Sequence, residues 1–199
     1  MKVIDVQQGT PEWLAVRCGV PSASNFDLII DTKGNPSKQR QKYLYRLAGE
    51  KITGVSEETY QNGAMKRGIE MEPEARETYE LITDAQVQQV GFCLVDGAHA
   101  FGASPDGLIG DDGLLEIKCP TLAVHVGYLL GKVLPADYYQ QTQGQLLVTG
   151  RAWLDFVSYY PGIRPLIVRA TPDMAYQQIL RAELERFCDE LKTVVSKLK

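Results

Sequence analysis

The sequence predicts an α/β fold, a central mixed β-sheet flanked by helices, in one domain. Three observations carry this. Apolar residues recur three and four apart over residues 37–53, 62–83 and 171–199, the spacing of helices with one buried face. Short runs bounded by Gly- and Asp-rich turns fill 86–120 and return over 152–170, as strands do. The order is helices, a meander of strands, a helix, two strands and a final helix, which suits a sheet covered by helices. With 199 residues, 44% of them hydrophobic, the chain can bury one core. The division is a helical part over about 10–83, a sheet core over about 86–170, and a C-terminal helix over about 171–199.

Residues 11–30 read as two short helices, the second capped by Ser22 or Ser24 ahead of Phe26, Leu28, Ile29 and Ile30. Residues 31–37, "DTKGNPS", form a polar loop. The helix over 37–53 carries Tyr43, Leu44, Leu47 and Ala48 as its apolar stripe. In 62–83, Pro73 marks a kink or a fresh start. Residues 86–95, 98–110 and 113–120 read as strands, 136–150 as a helix, and 152–161 and 165–170 as strands. Thr171 caps a last helix beginning at Pro172, on which Tyr176, Leu180, Leu184, Phe187, Leu191 and Val195 share one stripe.

Composition removes several classes of function. No apolar run approaches the ~18–20 residues of a membrane span, and the first residues lack the apolar stretch of a signal peptide. Cys18, Cys93, Cys119 and Cys188 are scattered, with no C-x-x-C pair, which points to reduced thiols in a cytoplasm. Only His99 and His125 are present, so a His-rich metal centre is excluded. Hydrolytic chemistry here rests on carboxylates, lysine and a hard metal. The net charge of −4 argues weakly against nucleic acid, unless basic residues gather in one groove.

The segment "SPDGLIGDDGLLEIKCP" (104–120) holds the densest chemistry. On a strand, side chains alternate faces. Leu115, Ile117 and Cys119 then share one face, and Leu114, Glu116 and Lys118 the other. A turn through Gly110–Gly113 folds Asp106 back toward Glu116. Two carboxylates with open positions suit Mg²⁺, which polarises a phosphate and acidifies a bound water. The structural alternative is an edge strand with Glu116 and Lys118 in water, since exposed ion pairs contribute only ~0–1 kcal/mol. The same letters recur as Pro172-Asp173 with Glu190 and Lys192. That copy lies on a helix, where residues two apart point roughly 200° away from each other, so it cannot form one site.

A second set of residues lies near the start. Arg17 with the hydroxyls of Ser22 and Ser24, near a helix start, could hold a phosphate. Taken together, "QGTPEW" (8–13), "RCGVPSAS" (17–24), "RGIEMEPEAR" (67–76), "SPDGLI" (104–109), "LEIKCP" (115–120) and "QTQGQLLVTG" (141–150) resemble the phage lambda exonuclease family of viral recombination nucleases. The motifs run from residue 7 to about 160. That family belongs to the restriction-endonuclease-like superfamily, whose core is a mixed sheet flanked by helices.

The resemblance implies roles. Asp106 and Glu116 match magnesium ligands, with the backbone carbonyl of Ile117 as a further ligand, and Lys118 matches the catalytic lysine. Glu72 matches a helix glutamate that holds a second metal or orients water; Glu70 and Glu74 are its alternatives. Gln143 matches a glutamine near the catalytic centre, on a helix shared with Gln140, Gln141 and Gln145. Arg17, Ser24 and Ser104 match a pocket for a terminal 5′-phosphate, and Met65 falls near an apolar residue that parts the strands. Two departures stand out: Arg67 replaces an aromatic residue of the lambda member, and the loop at 31–37 is short.

The activity implied is a Mg²⁺-dependent 5′→3′ exonuclease on linear double-stranded DNA, with two ions, Mn²⁺ as a substitute, and a 3′ overhang as product. A homotrimeric ring closing on the duplex, lined by the lysines and arginines of 33–51 with Lys66 and Arg67, would reconcile the acidic charge with DNA. A single-strand annealing protein would be the partner, in the cytoplasm of a phage-bearing or prophage-bearing bacterium. The alternatives are a sequence- or structure-specific endonuclease of the same superfamily, and a non-catalytic DNA-end-binding protein.

Overall fold

The run Gly113-Leu-Leu-Glu-Ile-Lys118 becomes the strand around which the rest is arranged. In the computed structural model, which describes residues 1–57, 63–95 and 97–199 but not the side chains of 63–66, five of its six residues are buried. The elements follow the expected order. Strand β1 (Lys2–Ile4) precedes α1 (Pro11–Arg17), a 3-10 turn (Ala23–Leu28), α2 (Arg40–Thr53) and α3 (Gly63–Thr83). Strands β2 (Val87–Gln88), β3 (Phe92–Leu94), β4 (Gly102–Ala103), β5 (Gly107–Ile109) and β6 (Gly113–Lys118) come next. Then α4 (Leu122–Gly131), a second 3-10 turn (Ala136–Tyr138), α5 (Tyr139–Thr149), β7 (Trp153–Tyr160), β8 (Ile163–Ala170) and α6 (Met174–Leu198) complete the described chain.

Among the described residues, the strands form two sheets, a three-stranded one in the order β1-β3-β4 and a five-stranded one in the order β2-β5-β6-β7-β8. The larger is mixed, because β6 pairs antiparallel with β5 and parallel with β7. Both faces of β6 are covered, as the strand's alternation requires. Leu114, Leu154 and Phe156 pack with Phe26, Leu146 and the buried stripe of α6. Leu115, Ile117, Val157 and Tyr159 pack on the opposite side against Ala75 and Tyr79 of α3. Glu116 therefore lies on the face that meets α5.

Several expectations are corrected. Residues 86–95 do not form one strand: β2 joins the large sheet and β3 the small one, with Gly91 between them. Pro73 sits inside one continuous α3, so it starts no new helix. Asp173, not Thr171, caps α6, its side chain accepting from the Tyr176 N–H at 3.0 Å. Ser22 stands at the cap position of the first 3-10 turn but makes no capping bond. The repeated Pro-Asp/Glu-x-Lys letters are structural, as their helical setting implies: Glu190 pairs with Arg40, and Lys192 Nζ donates to the Ala98 carbonyl at 3.2 Å. Arg40 is thereby tied to α6, with its guanidinium 5.2 Å from the Phe187 ring centre, and is withdrawn from the proposed channel lining.

Candidate active site

Asp106 and Glu116 arrive from adjacent segments of one hairpin. Gly107 faces Leu115 across the β5–β6 pair, so Asp106, just before β5, lies beside the end of β6. Its main-chain N–H donates to the Leu115 carbonyl at 3.0 Å, and its Oδ2 accepts from the Ile117 N–H at 2.6 Å. Glu116 is 2% exposed. A buried carboxylate must be compensated by donors, and here three surround it. Lys118 Nζ and Gln141 Nε2 each lie 2.6 Å from Oε1, and Gln145 Nε2 lies 2.6 Å from Oε2.

Gln141 and Gln145 are four apart on α5, hence on one helical face. The helix comes close because residue 144 is glycine: a Cβ there would stand 2.4 Å from Phe26 Cδ2. Lys118 Nζ also lies 5.2 Å from the centre of the Tyr138 ring.

Glu72 is the helix acid that faces this pair. Its charge is felt at Asp106, and its carboxylate is bonded to Arg76 one turn on. Glu74 points elsewhere, accepting from Tyr159 OH at 2.6 Å, and Glu70 is exposed. Burial raises the pKa of Asp106 well above the usual carboxylate value, and the charges of Glu116 and Glu72 raise it further. Burial likewise raises Glu72, opposed by Arg76. Burial alone would lower Lys118, but Glu116 and Asp106 outweigh it and hold its proton on. A cleft of about 420 Å³ opens beside Asp106, lined by Glu72, Arg76, Gln8 and Gly91 among others.

The Arg17 residues meet this site through Ser104, two residues before Asp106. Arg17 is buried with its guanidinium 4.1 Å from the Trp13 ring centre. Its Nη1 donates to Ser104 Oγ at 3.4 Å and its Nη2 to Ser22 Oγ at 3.3 Å. Ser24 Oγ lies 3.2 Å from Ser22 Oγ. The "QGTPEW" motif holds the other strand of this junction. Gln8 Nε2 donates to the Val90 and Pro105 carbonyls, both at 2.8 Å, and Trp13 Nε1 donates to Ser104 Oγ at 3.0 Å. Thr10 caps α1, accepting from the Trp13 N–H at 3.3 Å.

The structure therefore gathers Asp106, Glu116, the Ile117 main chain, Lys118 and Glu72, and beside them Arg17, Ser24 and Ser104. Gln143 is not among them. Its amide is used at the start of α6, donating to the Thr171 carbonyl at 3.0 Å and accepting from the Asp173 N–H at 2.8 Å. The glutamines at the site are Gln141 and Gln145, two residues to either side of Gln143 and hence on the opposite face of the helix. Met65 lies outside the described side chains. Sequence reasoning also missed the donor roles of Gln8 and Trp13.

Among the described residues, no group of three or more His, Cys, Asp or Glu side chains is placed to hold an ion. Among the described residues, no helix is long and apolar enough to cross a membrane.

Residues 12–152 match the model of the YqaJ-like viral recombinase domain. The chain is 35% identical to an alkaline exonuclease, LHK-Exo, from Laribacter hongkongensis, covering 95% of this chain and 96% of that one with a TM-score of 0.87. The structure of LHK-Exo in complex with dAMP aligns with 36% identity over 96% of both chains, again at 0.87. A phage-related exonuclease from Haemophilus somnus 129PT shares the fold at a TM-score of 0.68 and 13% identity, covering 90% of this chain and 96% of that one. No curated protein matches. The matched span contains both the carboxylate set and the Arg17–Ser104 cluster, and on that basis the chain belongs to the YqaJ-like viral recombinase family, the lambda exonuclease family that its motifs resemble.

Proposed function

We propose that this nuclease is a divalent-metal-dependent 5′→3′ exonuclease acting on linear double-stranded DNA from 5′-phosphorylated ends, leaving 3′ overhangs for recombination by strand annealing. The observation that carries the reading is Ser104. It binds Arg17 and Trp13 through its hydroxyl and stands two residues from Asp106, so one short segment spans both the Arg17 cluster and the carboxylates. An end-phosphate pocket at that place would set the direction of attack and the register of the cut.

The donor set fits a hard cation. Asp106 and Glu116 bring two carboxylates together with Glu72 nearby, and burial, with the charges of Glu116 and Glu72 added to it, raises Asp106. Hard oxygen ligands of this kind suit Mg²⁺, with Mn²⁺ as a substitute. Asp106 and Glu116 would hold the ion with the Ile117 carbonyl and water, and Glu72 would serve a second ion or orient water. The bound metal would polarise the scissile phosphate and lower the pKa of a bound water.

The protein's own groups would do the rest. Lys118 keeps donors beyond the one given to Glu116, and would orient the attacking water and offset charge on the phosphate. Gln141 and Gln145 would fix the orientation of Glu116. The water oxygen joins the phosphorus of the retained strand, the P–O3′ bond breaks, and O3′ leaves with a proton on the released nucleotide. The retained strand then carries a new 5′-phosphate for the next round. A homotrimeric ring, with lysines such as Lys33 and Lys38 toward the duplex, and an annealing protein as partner complete the proposal.

The deciding assay compares linear duplexes bearing 5′-phosphate or 5′-hydroxyl ends with relaxed closed-circular DNA, with and without Mg²⁺. Mononucleotide release from the phosphorylated linear duplex alone, and only with metal, is expected. Efficient cutting of circles would favour an endonuclease, and metal-independent end binding without release a non-catalytic protein.

A further inference from the structure

The polar cluster around Arg17 continues away from the carboxylates. Asn25 Nδ2 lies 3.3 Å from both Ser22 Oγ and Ser24 Oγ. Its Oδ1 accepts from Arg46 Nη2 at 3.5 Å. Arg46, its guanidinium 4.8 Å from the Tyr43 ring centre, is part of the wall of a cavity of about 360 Å³, together with Gln39, Lys42, Tyr45 and Glu57. From Ser104, two residues before Asp106, the contacts thus run through Arg17 to Ser22 and Ser24, then Asn25, Arg46 and the cavity.

That order matches the polarity of a bound strand. With the scissile phosphate at Asp106 and Glu116, and the next phosphate toward the 5′ side at Arg17, the unit beyond it would meet Asn25 and Arg46. The cavity's chemistry is that of a nucleotide rather than a bare phosphate. Lys42 and Arg46 offer two cations for a phosphate. Tyr45 is 56% exposed and presents a ring on which a base can stack. Glu57 would accept from base N–H groups and would repel a polyphosphate. The volume falls in the range of small-molecule pockets.

We infer that this cavity is a subsite for one additional nucleotide on the 5′ side of the end-phosphate pocket. An unpaired 5′ nucleotide would occupy it, so the first cut at such an end would release a dinucleotide. The inference rests on reading Arg17, Ser24 and Ser104 as the phosphate pocket. The bond chemistry is unchanged: water oxygen joins the phosphorus of the retained strand, and O3′ leaves, protonated, on the dinucleotide.

The test follows the first product by mass spectrometry from a duplex with a one-nucleotide, 5′-phosphorylated 5′ overhang. Blunt duplexes with 5′-phosphate and 5′-hydroxyl ends run beside it, all with Mg²⁺. The overhang should yield a dinucleotide and the blunt phosphorylated end a mononucleotide. Lys42→Ala and Tyr45→Ala should each cut the dinucleotide share by about fivefold or more, the worth of one stacking contact or its equivalent, and Tyr45→Ala should leave blunt-end release unchanged. Mononucleotide alone from the overhang, or a dinucleotide share untouched by both substitutions, overturns the subsite while the phosphate pocket stands. Equal rates on the two blunt ends overturn the pocket itself and the subsite with it.

Discussion

Lys118 Nζ stands 2.6 Å from Oε1 of Glu116, two residues back on the same strand. The lysine both stabilises a buried carboxylate and presents its remaining donors to the site. Replacing Lys118 with Met should lower turnover by about 10²–10³-fold, the range for losing one donor aimed at developing charge. DNA binding in Ca²⁺, followed by anisotropy, should be retained. Turnover within threefold of wild type would exclude Lys118 from the chemistry.

Gln145 and Gln143 offer a paired contrast on one helix. Gln145→Ala removes the donor to Glu116 Oε2 and should weaken metal affinity by about 10–100-fold, as loss of a group that orients a ligand does. Gln143→Ala leaves the Asp173 N–H and Thr171 carbonyl without their partner and should cost about 1–3 kcal/mol of stability. Titration of activity with Mg²⁺ and thermal melts separate the two. The contrast fails if Gln143→Ala shifts the metal requirement and Gln145→Ala does not.

Arg17→Lys should not behave as a conservative change. The guanidinium is stacked on Trp13 and reaches two hydroxyls at once, which one ammonium cannot do. The preference for 5′-phosphate over 5′-hydroxyl ends should fall by about 10-fold or more, the worth of a charged hydrogen bond. Rates on hydroxyl ends should stay put. Kinetics on the two substrates give the ratio directly.

Asp155 carries structure away from the reacting atoms. It is 2% exposed, accepts from Tyr79 OH at 2.7 Å and pairs with Arg169 through two bonds of 2.8 Å. Asp155→Ala leaves a buried phenol without an acceptor and should destabilise by about 3 kcal/mol, lowering Tm by on the order of 10 °C. Activity per folded molecule at low temperature should be unchanged.

Acid sensitivity can be traced to the start of α6. The Tyr176 N–H and Tyr139 OH hold Asp173 below its usual carboxylate range, so its charge stabilises the fold above the unfolded pKa near 3.8. That contribution disappears as pH falls through the lower, folded value. Asp173→Asn keeps a cap and removes the charge. Its Tm deficit should hold from pH 7 to about 5 and close below about 4. A deficit unchanged at pH 3 would remove Asp173 from the account.

Much of this site could be read from strand periodicity. Alternation alone puts Glu116 and Lys118 on one side of β6, and the same geometry rejects Glu190 and Lys192. The glutamines could not be ranked that way. Four of them occupy α5, and which pair faces Glu116 is decided by how the helix rests on Phe26 at Gly144. Helix α4 escaped notice because Leu122, Val124, Val126 and Leu130 are exposed, so its apolar residues mark no buried face. Strand β1, three residues long, carries too little pattern to be seen. The split of 86–95 between two sheets depends on partners far along the chain.

The parallel pairing of β6 with β7 has a consequence for how the chain tolerates change. A parallel neighbour demands a long return path, and here that path, residues 119–152, carries α5 and its two amides back over Glu116. The path is fastened where it rejoins the sheet: the Ala152 and Trp153 N–H groups donate to the Asp112 carbonyl at 2.9 and 3.2 Å. Extra residues inserted between α4 and α5, near Lys132–Pro135, would lengthen the excursion without moving its landing point. The same insertion between α5 and β7 would slide the amides past the carboxylate, so two additions of equal length would have opposite fates.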